Sequence, residues 1–343
     1  MSTFSRSTFN AAKYSASRPH YPPQLYSHVL NYARSGNDNQ VLSTLIDIGC
    51  GPGLSTFEFS NDFDNKIFGI DPSANMIKVA KSNNLESETQ KEKFKFEIGT
   101  VENLIEMKGI EKNSIELIVA GQAAHWFNPL KTYSSMYKVL KPGASFVFWG
   151  YGEIFFLPKK SNELNKLITK FSHGKDFLGS YWQQPGRSIV ENLLKPFPLP
   201  LSKNFTTTTT TADTRSEIEF ICSQFDPTSF QRSFHLAADQ HPDSQVQVNI
   251  PPLLHFKAEK ELGIKTILHP NLLLTKEWDL KQFENYLKTW SSLHKYREEL
   301  GRDKADSLIE NLLLEMRDLG CWKEGEKVQV GWEVGMLMGK KKK

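Results

Sequence analysis

"LIDIGCGPGLST", residues 45–56, sets an apolar run, a single acid and then glycines at 49, 51 and 53. Glycine inside a regular element costs about 0.5–1 kcal/mol relative to alanine. Three so close together, directly after a stretch that reads as a buried strand, predict a turn whose backbone must lie bare against something. The residues from Ser55 onward read as a helix, so the unit is strand, bare turn, helix.

Working outward, the same alternation repeats. "TLIDIG" (44–49), "KIFGID" (66–71), "KFKFEIG" (93–99), "SIELIVAGQ" (114–122) and "ASFVFWG" (144–150) read as strands by their apolar runs or alternation. "STFEFSNDF" (55–63), "PSANMIKVAKSN" (72–83) and "PLKTYSSMYKVL" (129–140) read as helices, with Phe57 and Phe63 as core contacts and Pro72 near a helix start, where proline is tolerated. Strand and helix in turn imply parallel βαβ units. Ligands of such sheets sit beyond the carboxyl ends of the strands, near the point where strand order reverses. The glycine turn lies at such an end.

The later part is less regular. Residues 151–200, rich in Pro, Phe and Trp, look helical in parts. "NFTTTTTTADT" (204–214) reads either as a low-complexity linker or, because threonine is β-branched, as a strand. Residues 235–252 are polar, proline-bounded and predicted to be loop. "DLKQFENYLKTWSSLHKYREEL" (279–300) has helical periodicity through Phe283, Leu287, Trp290 and Leu293. "EKVQVGWEVGMLMG" (326–339) reads as a last strand. There is no internal repeat.

Composition narrows the function classes. The chain has 343 residues, 39% of them hydrophobic and 24% charged, with a net charge of +3. A packed core is expected, and the charge is too mild to suggest a nucleic-acid partner. The run Lys340–Lys343 is expected to be a solvated tail. Cys50, Cys222 and Cys321 form no CxxC pair, which argues against a disulfide framework or a zinc site; no metal ligands are expected. The polar start "MSTFSRSTFN" has no apolar signal region, and no run approaches a membrane span. A cytoplasmic protein, monomeric and without a membrane partner, is the expectation.

The glycine turn excludes two phosphate binders. A P-loop needs Gly-Lys-Ser/Thr, but Leu54 follows Gly53. A dinucleotide fingerprint wants Gly or Ala three residues beyond its second glycine, and that position is also Leu54. The pattern Asp-x-Gly-x-Gly-x-Gly, from Asp47 through Gly49, Gly51 and Gly53, resembles motif I of the class I S-adenosylmethionine-dependent methyltransferases. Asp71, ending the second strand, is placed to accept the ribose hydroxyls. The resemblance extends to "GTVENL", where it implies Glu102 near the adenine, to Gln122 in "GQAAHWF", and to "LKPGA" before the fifth strand. Cys50 is expected to contribute backbone only.

"MSTFSRSTFNAAKYSASRPHYP", "QAAHWF", "FWGYGE", "FLGSYWQQPGRS" and "YLKTWSSLHKYRE" together resemble the fungal trans-aconitate methyltransferases, over nearly the whole chain. The resemblance implies an α/β, Rossmann-like, seven-stranded and mostly parallel sheet with helices on both faces. It places an antiparallel sixth strand at "NFTTTTTTA" and a seventh at the C-terminus. One methyltransferase domain is expected over 1–343: an N-terminal lid and helix at 1–40, a cofactor core at 41–150, substrate-side insertions at 151–200 and 215–325, and the last strand at 326–339. It further implies methylation of a carboxylate on a small polycarboxylic acid. Such a group is ionised at neutral pH, so no catalytic base is required. The substrate site then needs cations and aromatic walls. Arg187 is the first candidate, against a plain surface arginine. Tyr14 and Arg18 in the lid, and His125 and Trp126 after the fourth strand, come next. Tyr151, Tyr181 and Trp182 are candidate walls, while Trp149 is expected in the core. The main alternative is another small-molecule acceptor on the same fold.

Overall fold

The computed structural model describes residues 11–37, 40–82, 88–157, 162–206, 210–237, 259, 261–319, 322 and 325–343. The first ten residues of the expected lid, most of the 235–252 loop, the middle of the threonine run and Cys321 lie outside the described residues.

The chain opens with helices α1 (Ala11–Ser17) and α2 (Pro23–Ala33). Next come β1 (Leu42–Ile48), α3 (Leu54–Glu58), β2 (Phe63–Asp71), α4 (Ala74–Ser82), α5 (Glu88–Lys93), β3 (Phe94–Ile98), β4 (Ile115–Gly121), α6 (Pro129–Val139) and β5 (Leu140–Leu157). All five predicted strands form where their apolar patterns place them. The helix expected at 55–63 is cut to α3: Phe63 begins β2 instead, fully buried, with Phe57 packing on the core. Beyond β5 lie α7 (Asn162–His173), α8 (Gly186–Glu191), α9 (Ala212–Ser223), β6 (Phe225–His235), β7 (Lys265–His269), β8 (Leu274–Trp278), α10 (Leu280–Leu287), α11 (Ser291–Leu300), α12 (Arg302–Asp318) and β9 (Val328–Lys341).

The sheet has nine strands in the order β3-β2-β1-β4-β5-β9-β6-β7, with β8 paired to β9. Strands β1 to β5 are mutually parallel, and β9 runs antiparallel to both β5 and β6. Three expectations are corrected here. The sheet has nine strands, not seven. The sixth strand is Phe225–His235, because the described threonines 210 and 211 lead into α9, with Thr211 capping it through its side chain. The antiparallel member is β9; β6 runs with the central strands. Part of the expected 215–325 insertion therefore belongs to the sheet itself. The long helix expected at 279–300 breaks into α10 and α11 around Trp290, whose backbone is extended. The lysine run is only in part a solvated tail: Lys342 and Lys343 are exposed beyond the strand. Lys340 and Lys341 continue β9, and the Lys341 Nζ donates to the carbonyls of Tyr137 and Leu140.

Apolar layers pack on both sheet faces. One contains Leu45, Val119, Trp149, Trp332 and Met336; the other contains Ile46, Ile118, Phe146, Phe148 and Leu337. Trp149 is fully buried, as expected of a core residue. Trp332 is also fully buried, its indole N–H donating to the Tyr286 hydroxyl at 3.1 Å, and losing such a side chain costs about 3–5 kcal/mol.

Candidate active site

Strand order reverses between β2 and β4, on either side of β1, and the glycine turn leaves β1 at that point. Gly49 and Gly51 have φ of 69° and 56°, which side chains disfavour. A Cβ on Gly49 would lie 2.3 Å from the Ala123 Cβ, so close packing of the turn on the β4 loop excludes any larger residue. A Cβ on Gly51 would meet nothing nearer than the Met76 sulfur at 4.0 Å; this glycine faces open space. The turn is pinned to the end of β2: the Gly49 and Cys50 amides donate to the Ile70 carbonyl, and the Gly51 amide donates to the Asp71 carboxylate at 3.0 Å.

Two adjoining cavities open above this turn. The larger, about 640 Å³, is lined by Gly49, Cys50, Gly51, Asp71, Met76, Tyr21 and Tyr26, among others. That volume suits a nucleoside-sized ligand. The smaller, about 80 Å³, is lined by His125, Glu153, Trp182, Arg187, Tyr286 and Trp290, among others. Tyr14, Arg18, Gln122, Trp126, Tyr151 and Gln183 line both.

The predicted cofactor residues divide. Gly49, Gly51 and Asp71 face the larger cavity. Burial raises the Asp71 carboxyl, and the Ser73 and Gly51 amides hold it back down. Gly53 instead caps α3 with φ 86° and lines neither cavity. Asp47 is fully buried behind the turn, accepting the Thr56 hydroxyl at 2.7 Å; burial pushes its pKa up to about 7. Its role is to hold the turn from behind. Glu102 is exposed and lines neither cavity. Gln122 reaches both cavities, but its amide is engaged. It accepts from the Tyr151 N–H at 2.8 Å and donates to the Tyr151 carbonyl at 3.1 Å, a clamp that fixes where β5 passes the site.

The substrate-side residues divide too. Tyr14, Arg18, His125, Trp126, Tyr151, Trp182 and Arg187 all line the smaller cavity, whereas Tyr181 packs on Tyr296 and lines neither. Arg187 stacks on Trp182 and its charge is already answered. It pairs with Glu153 and, at 2.7 Å, with Glu191, and it donates to the Ser172 hydroxyl. Its expected role as a free carboxylate anchor is thereby weakened, since two acids already hold it. Arg18 differs. Its guanidinium donates to the Tyr151 hydroxyl at 2.8 Å and the Thr289 carbonyl at 3.2 Å. It lies over the Tyr14 and Tyr286 rings, and its Nε has no partner among the described residues. Among the described residues no carboxylate pairs with it. His125 is driven down to about 3 by burial, then by the Arg18 charge, so it is neutral, and its Nδ1 has no partner among the described residues.

Glu153, Tyr286 and Trp290 escaped the sequence reading of the site. Glu153 had a signal, an acid interrupting the apolar run of β5; Trp290 was hidden in a helical periodicity that explained it as core, and Tyr286 carried no signal of its own.

With this geometry in view, the comparisons with known proteins agree. A model described as a methyltransferase domain matches residues 40–192. The fold is that of a class I methyltransferase. A protein of Anaeromyxobacter dehalogenans, solved under a provisional assignment as a type II methyltransferase, superposes with TM-score 0.54 at 19% identity over 94% of this chain and 97% of its own. The Saccharomyces cerevisiae protein named "Probable S-adenosylmethionine-dependent methyltransferase CRG1" is 28% identical over 186 residues, 54% of this chain and 59% of its own length. A Dictyostelium discoideum protein, provisionally named a methyltransferase, is 27% identical over 176 residues, 51% of this chain and 58% of its own. The chain thus spans about three fifths of these curated relatives. The cofactor of the class I methyltransferases is S-adenosylmethionine. The residues present fit it: a bare glycine backbone at Gly51 and a strand-end carboxylate at Asp71, both facing a cavity of nucleoside size. No helix among the described residues is long and apolar enough to cross a membrane.

Proposed function

We propose that this chain transfers the methyl group of S-adenosylmethionine to one carboxylate of a small polycarboxylic acid such as trans-aconitate. The observation that carries the reading is Arg18, a half-buried cation at the junction of the two cavities with no carboxylate partner among the described residues. Burying an uncompensated charge is expensive, and an anionic acceptor would complete it.

S-Adenosylmethionine supplies an electrophilic methyl; the sulfur–carbon bond breaks as a carboxylate oxygen–carbon bond forms. The chain's task is to align the acceptor, hold its other charge and keep water out. Arg18 would grip a carboxylate, with the Tyr151 hydroxyl beside it as a second donor; burial keeps that phenol protonated. Tyr14, Trp126 and Tyr286 would form the walls. No strong base is at hand, because His125 sits near 3 and Glu153 near 2. That favours an acceptor already ionised over an alcohol or amine needing deprotonation. Arg187 is reassigned to positioning, locking Glu153 and Trp182 around the smaller cavity.

The test is radiolabelled methyl transfer to a panel of tri-, di- and monocarboxylic acids. Polycarboxylates should be the best acceptors. Arg18→Ala should lower kcat/KM for a tricarboxylate by tens-fold or more, in line with the roughly 2–5 kcal/mol lost when a buried charge pair is truncated on one side. Arg18→Lys should recover only part, since lysine cannot grip bidentately. Methyl transfer to none of the acids, or Arg18→Ala turnover equal to wild type, overturns the reading.

A further inference from the structure

We propose that His28, His235 and His269 form a transition-metal site, with Zn²⁺ the best-fitting ion, that ties helix α2 to the outer strands of the sheet.

The three residues are far apart in sequence, and no spacing motif links them. No metal ligands were expected from the sequence, and the cluster lies outside the cavities that the sequence motifs mark. Parallel pairing of β6 with β7 puts His235 directly beside His269. The Tyr32 hydroxyl of α2 donates to the Ser229 carbonyl of β6 at 2.6 Å, which sets the helix so that His28 meets the other two. The rings form a stack: His235 and His269 are 4.1 Å apart at 7°, and His28 lies 5.1 Å from His235.

One nitrogen from each ring lies within 4.8 Å of the others. Two nitrogens on a tetrahedral ion, each about 2.1 Å from it, are about 3.4 Å apart. Closure thus needs the nitrogens to approach by about 1.4 Å and the stacked rings to turn out of parallel, so that the ion lies in the plane of each imidazole. The His235 Nε2 gives an independent sign. The residue is 4% exposed, yet that nitrogen has no hydrogen-bond partner among the described residues, which is unusual for a buried polar atom. The Asn271 backbone hydrogen-bonds this imidazole, and the His269 Nε2 contacts the Ser233 hydroxyl at 3.0 Å. Such outer partners orient imidazoles around metals. The ligands found among the described residues are three imidazoles, a set that suits Zn²⁺, Cu²⁺ or Ni²⁺.

The experiment uses the full chain, free of any histidine tag and stripped with a chelator. Zn²⁺ is added under calorimetry, and Co²⁺ is followed by visible absorption as a report of coordination. One Zn²⁺ per chain should bind, with a higher Tm and a tetrahedral Co²⁺ spectrum. His28→Gln, at a half-buried helix position, should weaken binding by roughly tenfold or more, since even losing an outer-sphere partner costs about that much. His269→Gln should do the same. Far-UV circular dichroism confirms that each variant is folded, and the two variants report independently if one is not. Absence of saturable one-to-one Zn²⁺ binding to the wild type overturns the proposal, as does Zn²⁺ affinity unchanged in both folded variants. Because the readouts are metal binding and Tm, the proposal stands or falls apart from the identity of the methyl acceptor.

Discussion

Asp71 and Asp47 stand at either end of one turn and do opposite work. Asp71 faces the larger cavity, and Asp71→Ala should weaken S-adenosylmethionine binding by about 1–3 kcal/mol, the cost of leaving the ribose hydroxyls without a charged acceptor. Part of that loss reflects the Gly51 amide, which the carboxylate also holds. Calorimetry giving an unchanged affinity would remove Asp71 from the cofactor site. Asp47 faces inward, and Asp47→Asn should leave affinity nearly intact because the amide oxygen can still accept from Thr56. The sign of its pH effect follows from its raised pKa. Its contribution to stability is whole below about 3.8 and is lost as pH rises through about 7, so the variant should gain on wild type in Tm above neutrality. The sequence made the glycines legible because positive φ is written in residue type. It could not distinguish two aspartates that differ only in which side of a turn they face. Nor could it foresee that Glu153 and Glu191 already occupy Arg187 while no acid among the described residues pairs with Arg18, since both facts arise between distant segments.

At the scale of elements, Glu153 is the knot joining β5 to α7 and α8. Its carboxylate takes hydrogen bonds from Ser172 and His173 and the charge of Arg187. Burial alone would raise its pKa, but the His173 hydrogen bond and the Arg187 charge hold it at about 2. The His173 pKa is raised in turn, chiefly by its bond to Glu153. The Glu153 contribution is full above about 4.5 and disappears as pH falls toward 2; the His173 contribution is full below about 6.5 and disappears as pH rises through its folded value. The Tm difference between wild type and Glu153→Gln should therefore peak between pH 4.5 and 6.5. A flat difference from pH 3 to 8 would show that the pairs carry no stability. The central strands were legible because buried parallel strands have near-continuous apolar runs. The threonine run misled because its β-branched composition fits a strand, while Thr211 acts locally as a helix cap. The helix break at Trp290 was invisible because Trp290 and Leu293 remain buried across it, preserving the periodicity.

At the scale of the whole molecule, β9 holds two half-sheets together, pairing with β5 on one side and β6 on the other, while β8 also pairs to it. A chain truncated before Val328 should lose the cooperative unfolding transition and become sensitive to limited proteolysis throughout β6 to β8. A truncated protein that melts like the wild type would mean that the core folds without β9. β9 is legible as a strand from its residues, yet its place in the sheet is a long-range property that no local pattern records. That placement also bears on how the protein is made. The outer edge of β5, an 18-residue strand, has no partner until β9 emerges. At ribosomal speeds of about 5–20 residues per second, the stretch between them takes roughly 10–30 s to synthesise. Throughout that interval the nascent chain displays a long apolar edge, which makes chaperone supply and slow, cool expression the factors that should govern its yield.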